Sequence, residues 1–326
     1  MKLKKNNFKL QVTYLFSAVA LLSYISVKNE PIKETVTVMA PMKGVDLLIV
    51  QEDEQHLLIP LTLTVDEVDS VENKLMKMVE LMSTPLPLNG ITPILPQGCE
   101  LLDVELVGEN AELNLNNHCF NYDKNNELKV IEGLVWASTS LDEISTLTFA
   151  KEGAFLEVTP HLQLPITQPI DRMVGINNFE WGSNTLHDTQ QLNIYYVKSI
   201  DGKDYYLPKS KRVNSSLMSI EGVVKTIVDD ISVSSKLVQP LAVEGVSVEE
   251  VVWGEDGVLN IHLDSSILNE ENTCKKVAFD ILMLSVKETL DFNQVRLYVD
   301  GVIVNEHGLN EDTIDLKQLK VNPILL

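Results

Sequence analysis

Hydrophobic positions along the chain follow two periods, and each period predicts one kind of element. Apolar residues at every second position, as in 258–263, are typical of a strand with one buried face. Apolar residues three and four positions apart predict a helix. Strands are expected at 45–51, 56–61, 101–107, 112–116, 146–150, 192–199, 204–208, 246–253, 258–263 and 294–300, and helices at 68–82, 128–138, 217–228 and 274–285.

These elements recur because the sequence itself repeats. The segment Gly-Glu-Asn-Ala-Glu-Leu-Asn-Leu at 108–115 returns as Gly-Glu-Asp-Gly-Val-Leu-Asn-Ile at 254–261, which is 146 residues later. Further landmarks align at nearly the same spacing: Pro60 with Pro208, Gly98 with Gly245, and Gly153 with Gly301. We therefore expect an α+β fold of two β-β-α-β-β-α-β units, each an antiparallel or mixed sheet with helices packed on one face.

The N-terminus combines a basic cluster with an apolar run. Four lysines lie in the first nine residues, and a mostly apolar stretch follows from Leu10 to Val27. Such a stretch nearly crosses a bilayer as a helix, and the positive-inside rule then leaves the rest of the chain outside the cytoplasm. A cleaved signal peptide is the alternative, because the run is short, but no small-x-small cleavage site ends it. The prediction is an uncleaved transmembrane helix.

Prolines divide the remaining chain. Pro160, Pro165 and Pro169 make the segment between the repeats extended, so we interpret it as a partly ordered bridge. The predicted organisation is a basic cytoplasmic tail at 1–9, a transmembrane anchor at 10–28, a linker at 29–44, a first domain at 45–156, the bridge at 157–190, a second domain at 191–310 and a C-terminal tail at 311–326.

Charge and cysteine spacing narrow the classes of function. The 326 residues include 26 Lys plus Arg and 47 Asp plus Glu, so the formal net charge is −21. A surface of that sign repels phosphate, so nucleic acid is not an expected partner. The three cysteines and six histidines show none of the usual zinc spacings, and no cofactor or metal is expected.

The second copy carries short motifs of a known family. They are Ile194-Tyr195-Tyr196-Val197, Asp201-Gly202, Leu207-Pro208, the basic run Lys209-Ser210-Lys211-Arg212, and Val299-Asp300-Gly301. This pattern resembles the GerM domain of sporulation and spore germination proteins. The first copy matches less well, since its last strand ends in Lys151-Glu152-Gly153.

The resemblance implies a small fold akin to the ring-building modules of bacterial envelope assemblies, outside the cytoplasm and without known enzymatic activity. Family members are often lipoproteins, whereas Tyr24 stands here where a lipoprotein signal needs cysteine. We expect a non-catalytic, single-pass membrane protein that binds or scaffolds an envelope component, either a protein assembly or peptidoglycan. Exposed strand edges also allow self-assembly. The alternative is an extracytoplasmic cell-wall hydrolase that uses acidic residues.

Two candidate sites come from side-chain chemistry. A hairpin turn centred near residue 109 places Cys99 opposite Cys119, close enough for a disulfide outside the cell; buried free thiols are the favoured interpretation, because a register error of one residue would separate the two side chains. Lys209, Lys211 and Arg212 form the basic cluster of the domains, either as a solvated loop or as a contact for an acidic partner.

One pair of residues has the spacing of a base and its orienting acid. His262 and Asp264 lie two positions apart, but the first copy has Asn116 and His118 there, and no nucleophile motif is near. No catalytic residue is therefore assigned.

Overall fold

The computed structural model describes residues 44–178, 189–215, 219–231, 245–305, 308–309 and 313–324. The predicted basic tail, the predicted transmembrane anchor at 10–28 and nearly all of the linker lie outside these residues. Within them, no helix has both the length and the apolar character needed to cross a bilayer.

The first copy contains seven strands and two α-helices in its described residues. These are β1 (Gly44–Asp53), β2 (Leu58–Asp66), α1 (Val71–Met82), β3 (Ile91–Pro93), β4 (Leu101–Val107), β5 (Asn110–Leu115), α2 (Glu127–Ser138), β6 (Thr146–Lys151) and β7 (Ala154–Phe155). All the predicted elements of this copy are present, and the short strands β3 and β7 are additional.

The second copy follows the same order. Its elements are β8 (Thr189–Ile200), β9 (Lys203–Asn214), α3 (Ile220–Ile231), β10 (Val248–Trp253), β11 (Leu259–Leu263), α4 (Lys276–Thr289), β12 (Gln294–Val299), β13 (Val302–Asn305) and β14 (Gly308–Leu309). Two short strands follow, β15 (Ile314–Asp315) and β16 (Pro323–Ile324). The predicted α+β class and the tandem repeat are confirmed.

Each copy has two sheets, so the prediction of one sheet per copy is wrong. In the first copy, the β1–β2 hairpin belongs to the sheet β16-β2-β1-β3, and the second sheet is β4-β5-β6-β7. The helix α2 contacts β1, β2 and β6, and its residues from Gly133 to Ser138 are all buried. A helix that is buried on every side needs a layer on each side of it, which the two sheets supply.

The second copy repeats this division. The hairpin β8–β9 forms its own sheet, and β10 to β14 form the other, with β11 and β12 parallel. The helix α4 contacts β8, and its residues from Ile281 to Val286 are all buried.

The repeated glycines have the same backbone role in both copies. Glu152 and Gly153 connect β6 to β7 with φ angles of 47° and 84°, and Asp300 and Gly301 connect β12 to β13 with 50° and 76°. A two-residue hairpin with both central φ angles positive is a type I′ turn, which strongly favours glycine at its second position. The turn geometry therefore explains why this landmark recurs.

Each copy has its own hydrophobic core, and a few side chains of one copy pack against the core of the other. Tyr205 and Ile324, from the second half of the chain, pack in the first core, and Leu48 packs against the second core. The described residues of both copies accordingly belong to one compact unit.

The end of the chain is folded, so the prediction of a C-terminal tail is wrong for residues 313–324. β15 pairs with β12, and β16 pairs in parallel with β2 of the first copy, where Pro323 faces Thr62. Leu316 and Val321 are buried. These elements are too short to show a hydrophobic period, which is why the sequence pattern missed them.

Candidate functional site

The junction between the copies is built around two buried asparagines. Asn177, in the bridge, bonds both backbone groups of Leu58: the Leu58 N–H donates to Oδ1 at 2.8 Å, and Nδ2 donates to the Leu58 carbonyl at 2.8 Å. The same Nδ2 donates to the carbonyl of Pro208, in the second copy, at 2.9 Å. One side chain therefore links strand β2 to strand β9.

Asn322 makes the corresponding bonds from the other copy. The Tyr206 N–H donates to Oδ1 at 2.8 Å, and Nδ2 donates to the Tyr206 carbonyl at 2.6 Å. Nδ2 also donates to the carbonyl of Pro60, in the first copy, at 2.8 Å. Each asparagine thus bonds a strand of its own copy and reaches the other.

The two sets of bonds are related by the repeat. Leu58 corresponds to Tyr206 and Pro60 to Pro208, both 148 residues later, and the asparagines are 145 residues apart. Such a reciprocal pattern, in which each copy offers the other the same contact, defines a two-fold interface. The junction is therefore an internal pseudo-two-fold contact.

Sequence reasoning missed these asparagines. They lie in segments interpreted as a bridge and a tail. The signal was present, since Gly-Ile-Asn-Asn at 175–178 and Lys-Val-Asn-Pro at 320–323 share an apolar residue before asparagine at nearly the repeat spacing.

Ion pairs add to the junction. Lys198 of β8 pairs with Asp53 of β1, and both side chains are largely buried. Arg172 of the bridge pairs with Glu288 of α4, and its guanidinium lies 4.3 Å from the centre of the Trp136 ring. Several charges are therefore used to hold the two copies together.

Glu132 of α2 is a carboxyl group whose pKa is raised at the junction between the copies. Burial raises its pKa to about 7, while the hydrogen bond from the Asn177 N–H and the charge of Lys129 oppose that rise. Its Oε2 accepts that N–H at 3.2 Å. A pKa near neutrality suits a general acid. The hydrogen bond to Asn177, however, gives this carboxyl group a structural role at the junction.

His262 and Asp264 are in different environments. The His262 ring stacks on Tyr298 with a centroid distance of 4.4 Å. Asp264 accepts hydrogen bonds from the Ser247 hydroxyl at 2.6 Å and the Ser266 N–H at 2.7 Å. Burial acts to raise the Asp264 pKa, but these bonds outweigh it and the pKa falls to about 2. The carboxylate stabilises the start of the short helix Ser265–Ile267.

Cys99 and Cys119 form a disulfide, with their Cα atoms 4.2 Å apart. The strand register behind the expectation is wrong by one residue, because Val104 pairs with Leu113, and a bulge after Leu101 shifts the register again. The helical turn Asn117–Phe120 brings the second sulfur back into reach. Among the described residues, no group of three or more His, Cys, Asp or Glu is arranged to hold a metal.

The basic run lies in strand β9, so the solvated-loop interpretation is wrong. Lys211 pairs with Asp230 of α3 at 2.6 Å, and Arg212 donates to the Met173 carbonyl at 3.3 Å. Because the run consists of polar residues, this part of β9 lacks the alternation of apolar and polar residues that predicts a strand. The contact of Lys209, Lys211 and Arg212 with an acidic partner stays a prediction.

The strands β4 and β10 occupy the same edge position in the two copies, and both carry exposed apolar side chains. Within the described residues, β4 pairs only with β5, and β10 only with β11. Leu102 and Val107 of β4, and Val252 and Trp253 of β10, are exposed. These edges are the surfaces on which another chain can add a strand.

Comparison with known proteins gives a family match for the first copy and one related protein for both copies. The family model for sporulation and spore germination (Germane) matches residues 47–157. The spore germination protein GerM of Bacillus subtilis (strain 168) is 27% identical over 228 residues, which cover 68% of this chain and 62% of that protein. The chain thus matches less than two thirds of that relative's length.

A solved structure shares the fold of both copies. The tandem GerMN domains of the sporulation protein GerM from Bacillus subtilis superpose with a TM-score of 0.73 at 22% identity, over 86% of this chain and 99% of that one. The family model covers the first copy, and the internal repeat extends the same pattern to the second. Residues 47–157 therefore match the GerM domain family of sporulation and spore germination proteins, and the chain is similar in sequence to GerM of Bacillus subtilis and in fold to its tandem domains.

Proposed function

We propose that this protein is a non-catalytic component of the cell envelope that acts in sporulation or spore germination. Its segment 10–28 lies in the membrane, and both domains lie outside the cytoplasm. The family supports the biological setting. The lysines before the apolar segment support this orientation.

The reciprocal contact of Asn177 and Asn322 carries the proposal. A closed two-fold contact uses the facing edges of β2 and β9 inside the molecule. The two copies then act as one rigid body instead of two independent domains joined by a flexible linker. The edge strands β4 and β10 are left to bind another envelope component, either a protein or peptidoglycan.

The positions of the carboxylates favour binding over hydrolysis. A glycan hydrolase needs two carboxyl groups that face one cleft, roughly 5 to 10 Å apart. Asp53 is paired with Lys198, Glu132 is bonded at the junction, and Asp264 holds a helical turn. These acids stabilise the fold.

The test measures binding and turnover together. The purified full chain is incubated with peptidoglycan sacculi, and membranes of cells that produce it are cross-linked and analysed by mass spectrometry. We expect a reproducible cross-linked envelope protein or sedimentation with sacculi, and no release of soluble sugar fragments. Release of fragments by the wild type, abolished in Glu132→Gln, would establish the hydrolase instead.

A further inference from the structure

Trp253 is an exposed aromatic side chain that is nonetheless held in place. It lies at the end of edge strand β10, and 64% of its surface is accessible, more than for any other large apolar side chain in the described part of the chain. Its ring packs edge-on against Phe292, with the centroids 5.5 Å apart. Exposed, positioned tryptophans are typical of binding hot spots.

A groove begins at this ring. Its volume is about 840 Å³, and its apolar lining includes Ile220 and Leu290 beside the two aromatic rings. We call it the Trp253 groove. Contiguous apolar surface of this kind marks sites of interaction.

The rim of the groove and the neighbouring strand are mainly acidic. Asp291 and Asp315 line the groove, with Lys317 as the one cation among the described lining residues. Glu249 and Glu250 of β10 are exposed. A bulge between Val248 and Glu250 interrupts the ladder, so the regular edge runs from Glu250 to Trp253 and leads into the groove.

The first copy lacks this arrangement. At the repeat spacing of 146 to 149 residues, the counterpart of Trp253 falls within 104–107 and that of Phe292 within 143–146, and neither segment contains an aromatic residue. The aromatic pair is therefore a feature of the second copy and is not required by the fold.

We propose that the Trp253 groove binds a positively charged, extended segment of a partner protein. The segment pairs with β10 and places one large apolar side chain against Trp253. This inference rests on the proposed binding function and assigns it to a specific surface and a specific chemistry.

The surface favours a peptide over a sugar chain. Among the described residues no strand pairs with the outer edge of β10, and only a polypeptide can extend the ladder there. The carboxylates of Glu249, Glu250 and Asp291 attract lysine or arginine, whereas a neutral glycan gains nothing from them.

The test titrates the full chain into a fluorescein-labelled peptide and follows anisotropy. The peptide alternates lysine and valine and carries one central phenylalanine; in a second peptide, glutamate replaces every lysine. We expect the basic peptide alone to bind, and to bind more weakly as salt rises from about 0.05 M to about 0.5 M. Trp253→Ala is expected to weaken binding at least about tenfold.

Matched variants keep the result interpretable. Phe155→Ala removes an aromatic ring of similar exposure, 60%, from the first copy and is expected to leave the affinity unchanged. Asp291→Asn, at an exposed position, is expected to weaken binding about two- to fivefold and to reduce its salt dependence. This variant answers the question even if Trp253→Ala fails to fold.

Three results would overturn the proposal: equal affinity of Trp253→Ala and the wild type, equal binding of the acidic peptide, or displacement of the basic peptide by a tetramer of N-acetylglucosamine. Displacement by the sugar would assign the groove to a glycan. If the wild type still cross-links to an envelope component and Trp253→Ala cross-links equally, the groove proposal fails while the proposed function stands.

Discussion

Replacing Asn322 removes three hydrogen bonds that cross or flank the junction between the copies. The side chain is 6% exposed, and it serves the N–H and carbonyl of Tyr206 and the carbonyl of Pro60. Its backbone has a φ of 44°, a region that asparagine tolerates better than alanine. Comparing Asn322→Gly with Asn322→Ala therefore separates the loss of the hydrogen bonds from the strain of an alanine at a positive φ.

The expected loss in the free energy of unfolding follows from the three backbone groups that Asn322 bonds. A backbone group left unsatisfied in a buried place costs about 1 to 3 kcal/mol, and water entering the vacated space recovers part of that. For three groups we expect Asn322→Gly to lower the free energy of unfolding by about 3 kcal/mol. Asn322→Ala should lose about 1 kcal/mol more, because alanine at a positive φ is strained.

The assay is urea unfolding of the full chain, followed by circular dichroism. The control is Asn125→Ala, an exposed position whose side chain holds neither copy to the other, and we expect a change within about 0.5 kcal/mol. Because Asn322 bonds both copies, the midpoint of the whole transition should move. A loss below about 1 kcal/mol in both Asn322 variants would refute the role of this junction.

Three further changes test other parts of the structure. Cys99→Ser should lower the free energy of unfolding by about 2 to 4 kcal/mol, and dithiothreitol should produce the same loss in the wild type but none in the variant. Leu282→Ala, at a side chain 1% exposed in the second core, should cost about 2 to 5 kcal/mol in the same assay, and an unchanged midpoint would remove it from the core. Because burial raises the pKa of Glu132 from 4.5 to about 7, the folded chain holds a proton that the unfolded chain has lost, so wild-type stability should fall as pH rises through that window. Glu132→Gln should flatten this fall, and two parallel pH profiles of unfolding would contradict it.

Local signals in the sequence predict most of the elements. The Asp201-Gly202 turn between β8 and β9 has φ angles of 48° and 77°, as an Asp-Gly hairpin requires. The exposed Leu102 and the buried Leu113 belong to strands whose positions the alternation predicts. These features depend on near neighbours, which a sequence pattern records.

Contacts between residues far apart in the chain are the part of the fold that the sequence pattern does not predict. Separation of the sheets depends on α2 packing between them, and helical periodicity alone does not say how many layers a helix touches. The pairing of Pro323 with Thr62 joins residues more than 250 positions apart through a two-residue strand. Trp253 was included in a predicted strand, but its exposure beside Phe292 depends on the loop after α4.

The most direct test of the account is cross-linking in intact cells, with the wild type compared with Asn322→Gly at a temperature where both are folded. In the proposed function, the two copies bind an envelope component as one body joined by Asn177 and Asn322. It predicts a specific cross-linked component for the wild type and a clear loss of that product for Asn322→Gly. Equal yields from the two proteins, or no envelope component linked to the wild type, would contradict it.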